Sequence, residues 1–155
     1  MAIKTLYEKD GSLQPLNGKT VAVVGYGSQG HAHAQNLRDS GVNVIVANRK
    51  ESANGKLAIE HGFDPKPVAD AVKEADLIAI ALPDEVQPDV YEKDIAPNLT
   101  AGKTLLFTHG FNIHFGTITP PADVNAILVA PKGPGPTVRW AYERGRRVPA
   151  LIALH

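Results

Sequence analysis

At 155 residues, 43% of them hydrophobic and 21% charged, the chain is long enough for one globular domain with a substantial core. Sixteen Lys and Arg balance sixteen Asp and Glu, which argues against an electrostatic nucleic-acid or anionic-membrane partner. The absence of cysteine excludes disulfides, thiolate nucleophiles and zinc–thiolate sites. No apolar h-region follows Met1 and no apolar run approaches about 18 residues, so the expectation is a cytoplasmic protein.

Residues 1–18 read as an irregular lead-in with turn signals at Asp10-Gly11 and Asn17-Gly18. Thr20–Val24 is a predicted strand that runs straight into Gly25-Tyr26-Gly27-Ser28-Gln29-Gly30. A predicted helix follows over Ser28–Ser40, capped by Gly41. Strand, glycine turn and helix in that order give the GxGxxG pattern a physical meaning. Gly25 permits the tight turn, Gly27 lets a pyrophosphate approach the backbone, and Gly30 lets helix and strand pack closely. The free N–H groups of the first helical turn then face the phosphates. The alternative is a glycine-rich turn of purely structural use.

Val42–Ala47 is a second strand, apolar enough to be expected buried on both faces. Asn48–Gly55 reads as a polar loop, Lys56–His61 as a helix stopped by Gly62, and Val68–Ala75 as a short helix. Leu77–Leu82 is a third strand, closed by Pro83. A helix over Val86–Ala96 ends at Pro97. Thr104–Thr108 is a fourth strand, followed by the loop 109–114. Ala126–Ala130 is a fifth strand, leading into a stiff loop, 131–136. A helix over Val138–Arg144 precedes a sixth strand, Ala150–Leu154. The alternation predicts an α/β class: a doubly wound, mostly parallel Rossmann-type sheet with helices on both faces, in one domain over 1–155.

In such a sheet the ligand binds at the carboxyl ends of the strands. No acid ends the second strand to hold a ribose 2′-OH. Arg49, Lys50 and Ser52 stand there instead, suited to a 2′-phosphate, with Glu51 as an opposing charge. The plain alternative is a solvated basic loop. After the third strand, Asp84, Glu85, Val86 and Gln87 open a helix toward the cofactor, although Asp84 also reads as an ordinary N-cap. After the fourth, His109 stands where a substrate would meet a nicotinamide and can carry protons near pH 7. A lone loop histidine reads equally as solvated. After the fifth, Lys132 projects a cation toward a carboxylate or phosphate, or is an ordinary surface lysine. His31, His33, His61, His114 and His155 have weaker cases. His31 and His33, at i and i+2, cannot share a helix face for a metal.

The segments Gly25-Tyr-Gly-Ser-Gln-Gly-His-Ala-His-Ala34, Leu82-Pro-Asp-Glu, His109-Gly-Phe-Asn-Ile-His-Phe115, Val129-Ala-Pro-Lys-Gly-Pro-Gly135 and Val148-Pro-Ala-Leu-Ile-Ala-Leu-His155 closely resemble ketol-acid reductoisomerase (acetohydroxy-acid isomeroreductase). The resemblance implies an NADPH- and magnesium-dependent enzyme of branched-chain amino-acid biosynthesis. It would isomerise 2-acetolactate or 2-aceto-2-hydroxybutyrate and reduce the product to a 2,3-dihydroxy acid. By matching motif it places Tyr26 to Gln29 and Gly135 against the cofactor, Arg49 and Ser52 at the 2′-phosphate, and Asp84 to Gln87 in the next cofactor loop. His109 and Lys132 match the active-site histidine and lysine.

The resemblance also sets the family's metal carboxylates in a helical, knotted second domain that would follow His155. No metal ligand is therefore expected within 1–155, and cofactor binding without full catalysis is expected of this chain. The alternatives are a non-catalytic dinucleotide-binding module completed by a partner chain, and a small dehydrogenase using His109 and Lys132 alone. NADPH is the expected cofactor, with NADH possible. Glu51 stands where the family usually has Gly, Pro136 where a polar residue is common, and Trp140 where a charge is usual. Arg146-Arg147 replaces an apolar-Gly pair, with strain expected if position 147 needs positive φ.

Overall fold

Short apolar strands separated by helical stretches can bury both faces of a parallel sheet only by crossing over it. The structure, a computed structural model describing residues 4–154, resolves that requirement into six strands and six helices. The strands are β1 (Thr20–Val24), β2 (Asn43–Ala47), β3 (Leu77–Ile80), β4 (Thr104–Phe107), β5 (Asn125–Pro131) and β6 (Ala150–Leu154). The helices are α1 (Ser28–Asp39), α2 (Ala53–Glu60), α3 (Val68–Glu74), α4 (Gln87–Val90), α5 (Phe111–His114) and α6 (Gly135–Glu143).

The sheet order is β2-β1-β3-β4-β5-β6. The first five strands are parallel, in register through Val21 with Val44 and Leu77, Leu77 with Thr104, and Thr104 with Asn125. β6 closes the sheet antiparallel to β5. The chain leaves β1 to either side, so the order reverses between β1 and β3. That reversal opens a crevice above their carboxyl ends.

Alternate side chains of β1 feed two layers. Val21 and Val23 pack with Ala34, Val46 and Ala58 on one face. Ala22 and Val24 pack with Ala71, Ile78, Ile80 and Ile95 on the other. Val21 to Val24 are almost wholly buried, each valine contributing ~1.5–3 kcal/mol through the surface it removes from water.

Several expectations shift. β2 is an edge strand, and only Val46 and Ala47 of it are buried. The helix expected over Val86–Ala96 is α4 followed by a π turn at Tyr91–Ile95 and a 3-10 turn at Ala96–Asn98. Pro97 has no N–H to continue an α-helical ladder. α2 begins at Ala53 because the Ser52 side chain accepts from the Gly55 N–H as its N-cap. Part of the loop 109–114 coils into α5. α6 starts at Gly135, with Pro136 in its first turn. Gly145, at φ +66°, takes the left-handed position before β6, so Arg147 carries no such strain. The lead-in holds 3-10 turns at Glu8–Asp10 and Gln14–Leu16. Residues 1–3 and His155 lie outside the described residues.

Candidate cofactor and active site

The glycine turn bridges β1 and α1 at the crevice. Gly25 has φ +95°, and a Cβ there would lie 2.9 Å from the Ala81 carbonyl oxygen. Gly27 is the N-cap of α1 and has no capping side chain. Nothing lies within 4.0 Å of a Cβ built on it except the Asn54 amide. No side chain caps the first-turn N–H groups of this 12-residue helix, and such groups suit an anionic pyrophosphate.

Beside this turn lies a cavity of about 660 Å³, lined by Gly25, Asn48, Arg49, Glu51, Leu82 and Val86 among others. It is large enough for an adenosine moiety and has an apolar floor. Three of the β2–α2 side chains singled out from sequence are differently engaged. The Ser52 hydroxyl donates to the Arg49 carbonyl at 2.7 Å while it caps α2. Lys50 pairs with Asp64 at 2.5 Å, drawing that carboxyl below the usual range. Arg49 has no ion-pair partner among the described residues.

The β5–α6 loop is fastened to the glycine turn. Gln29 Nε2 donates to the Gly133 carbonyl at 3.0 Å, and the Gly135 N–H donates to Ser28 Oγ at 3.2 Å. A Cβ on Gly135 would sit 1.3 Å from the Ser28 carbonyl oxygen. Ser28 and Gln29 thus hold the β5–α6 loop at Gly133 and Gly135. The ring of Tyr26 points away from the crevice into the core, with its hydroxyl 3.0 Å from His61 Nδ1. Burial pushes that phenol up to about 12.

β4 and β5 are neighbours, with Phe107 opposite Leu128. His109 and Lys132 therefore leave adjacent strands at the same carboxyl edge. His109 Nδ1 bonds Asp84 Oδ2, joining the loops that follow β4 and β3. Asp84 and Gln87 are joined by Asn112 and Thr117, two residues that the sequence did not single out. Glu85 and Val86 are exposed on the rim. Of the other described histidines, His31 has Nδ1 3.0 Å from the Gly27 carbonyl, burial lowers the pKa of His33, and His114 meets Phe115 edge-on.

A family model for the acetohydroxy acid isomeroreductase NADPH-binding domain matches residues 15–155. The chain belongs to the acetohydroxy acid isomeroreductase family. It is 45% identical to the NADH-preferring ketol-acid reductoisomerase from an uncultured archean, at a TM-score of 0.95. That match covers 99% of this chain and 48% of the other, so the chain spans about half the length of this relative. Two more distant structures share the fold alone. The 3-hydroxyisobutyrate dehydrogenase of Mycobacterium tuberculosis is 18% identical with a TM-score of 0.70, over 87% of this chain and 46% of its own. A semialdehyde dehydrogenase NAD-binding protein from Cupriavidus necator is 23% identical with a TM-score of 0.65, over 74% and 41%.

The family is one of NADP-dependent oxidoreductases, and the glycine turn, helix terminus and cavity fit a dinucleotide. Magnesium fits less well. Among the described residues no three His, Asp or Glu side chains gather where they could share a cation, and magnesium demands a near-octahedral oxygen set. Nor is any described helix long and apolar enough to cross a membrane.

Proposed function

We propose that this chain is the cofactor half of a ketol-acid reductoisomerase, in which a small 2-hydroxy-3-keto acid such as acetolactate loses its hydroxyl proton and isomerises, and the bound NADPH reduces the resulting 2-keto acid. The observation that carries this reading is the start of α1 at Gly27, which no side chain caps, beside the cavity lined by Gly25 and the end of β2. Bound NADPH supplies a hydride to a carbonyl carbon. In this reading the N–H groups of residues 28–30 hold the pyrophosphate. Backbone groups of 84–87 and Gly135 border the ribose and nicotinamide. His109 carries a proton at the substrate, and the Lys132 ammonium draws in its carboxylate.

Arg49 is the group left to grip a 2′-phosphate, with Lys50 able to exchange its exposed, weakly held Asp64 partner for it. The Ser52 hydroxyl would have to reorient to join them. A charge-assisted hydrogen bond is worth about 1.5–3 kcal/mol, so NADPH should bind at least ~10-fold more tightly than NADH. Glu51 favours a second reading, in which its carboxylate accepts from a ribose 2′-OH and repels the phosphate.

Arg49→Ala separates the two. Its calorimetric titration should show NADPH weakened ~10-fold or more and NADH nearly unchanged. Equal weakening of both cofactors would remove Arg49 from phosphate recognition. Tighter NADH binding by the unaltered chain, lost in Glu51→Gln, would establish the second reading.

A further inference from the structure

Asp84 presents three acceptor oxygens, and each is engaged from a different place. Its backbone carbonyl accepts from Asn112 Nδ2 at 3.0 Å. Its Oδ1 accepts from Gln87 Nε2 at 3.3 Å. Its Oδ2 meets His109 Nδ1. The two amides behind it are almost fully buried, Gln87 at 2% and Asn112 at 1% exposure.

The orientation of these amides follows from their neighbours. Asn112 Nδ2 also donates to Gln87 Oε1 at 3.0 Å, and Thr117 Oγ1 donates to Asn112 Oδ1 at 2.5 Å. The remaining Gln87 hydrogen goes to the Leu82 carbonyl at 2.8 Å. Reversing Asn112 would set its carbonyl against two acceptors. Buried amides satisfied in this way are rigid and costly to disturb. They clamp the β3–α4 loop to α5 and aim one carboxylate oxygen at the imidazole.

An ionised carboxylate only accepts hydrogen bonds. The ring nitrogen facing it must therefore be N–H, and the bond made at one nitrogen sets the state of the other. In neutral His109 the proton sits on Nδ1, and Nε2 is left bare as an acceptor. The Phe111 ring lies 13° from parallel, with its centroid 6.4 Å from the imidazole centroid.

We infer that Asp84 is a positioning residue, which holds His109 in the Nδ1–H tautomer so that Nε2 is free to take a proton from a substrate hydroxyl. The new N–H bond forms as the O–H bond breaks, and the carboxylate balances the imidazolium that results. The proton-transfer role rests on the reading of His109 proposed above; the tautomer does not. A free imidazole prefers the opposite tautomer, so the effect of Asp84 is visible.

The test is a long-range ¹H–¹⁵N spectrum of the full 155-residue chain, labelled at histidine, at about pH 9, well above the ordinary histidine range. The His109 signals are assigned by their loss in His109→Gln. Nδ1–H should dominate in the unaltered chain. Nε2–H should dominate in Asp84→Ala and Asp84→Ser, whose amide spectra report whether they fold. A dominant Nε2–H form in the unaltered chain overturns the inference with no variant needed. An unchanged tautomer in either folded variant overturns it as well. Failure to bind NADPH with the Nδ1–H form intact would instead count against the proposed function and leave the positioning role standing.

Discussion

The purified 155-residue chain, given NADPH, acetolactate and excess magnesium, is expected to show no turnover above background. His109 and Lys132 stand at one carboxyl edge of the sheet, but no described cluster of three carboxylate or imidazole groups joins them. The proposed substrate must have its adjacent oxygens polarised before carbon migrates. A metal in that role lowers the barrier by several kcal/mol, and each 1.36 kcal/mol is tenfold in rate. A steady-state assay following NADPH absorbance measures the loss. Robust turnover abolished by His109→Ala would show that these residues build a complete site unaided.

Gly135→Ala is expected to destabilise the fold by about 3–5 kcal/mol. The added Cβ would lie 1.3 Å from the Ser28 carbonyl oxygen, a backbone atom that no rotamer change can move. The β5–α6 loop and the glycine turn would have to separate, at an overpacking cost of ~1–3 kcal/mol. They would also lose the Gln29–Gly133 and Ser28–Gly135 hydrogen bonds, each worth about 1 kcal/mol. Thermal unfolding should show a fall in Tm on the order of 10 °C. A change of only a degree or two would mean that the two loops are not in the close contact described.

The parts of this site that could be read from sequence are those set by local chemistry. Thr20–Val24 followed by spaced glycines can hardly be anything but a strand, turn and helix start. The residues ending each strand follow from that alternation, so His109 and Lys132 could be placed at one edge. What escaped depends on distant neighbours. Val42–Ala47 reads as a buried strand because an apolar run does not reveal which strands flank it; here one side is empty. Nothing local marks Asn112, and only the β3–α4 loop, 25 residues earlier, makes it a buried clamp. Ser52 reads as a phosphate-binding hydroxyl, yet in the fold it accepts from the Gly55 N–H and caps α2. Trp140, 45% exposed, has the Arg144 guanidinium 4.5 Å from its ring, an arrangement that no local pattern announces.

A nicotinamide dinucleotide is expected to lie across the carboxyl ends of β1, β2 and β3, with its pyrophosphate on the start of α1. Amide ¹H–¹⁵N spectra of the chain titrated with NADPH test this most directly. Saturable shifts are expected at residues 25–30, 48–52 and 84–87, with the Gly27 and Ser28 amides among the largest. Shifts confined to β5, β6 and α5, or no saturable shifts at all, would contradict it.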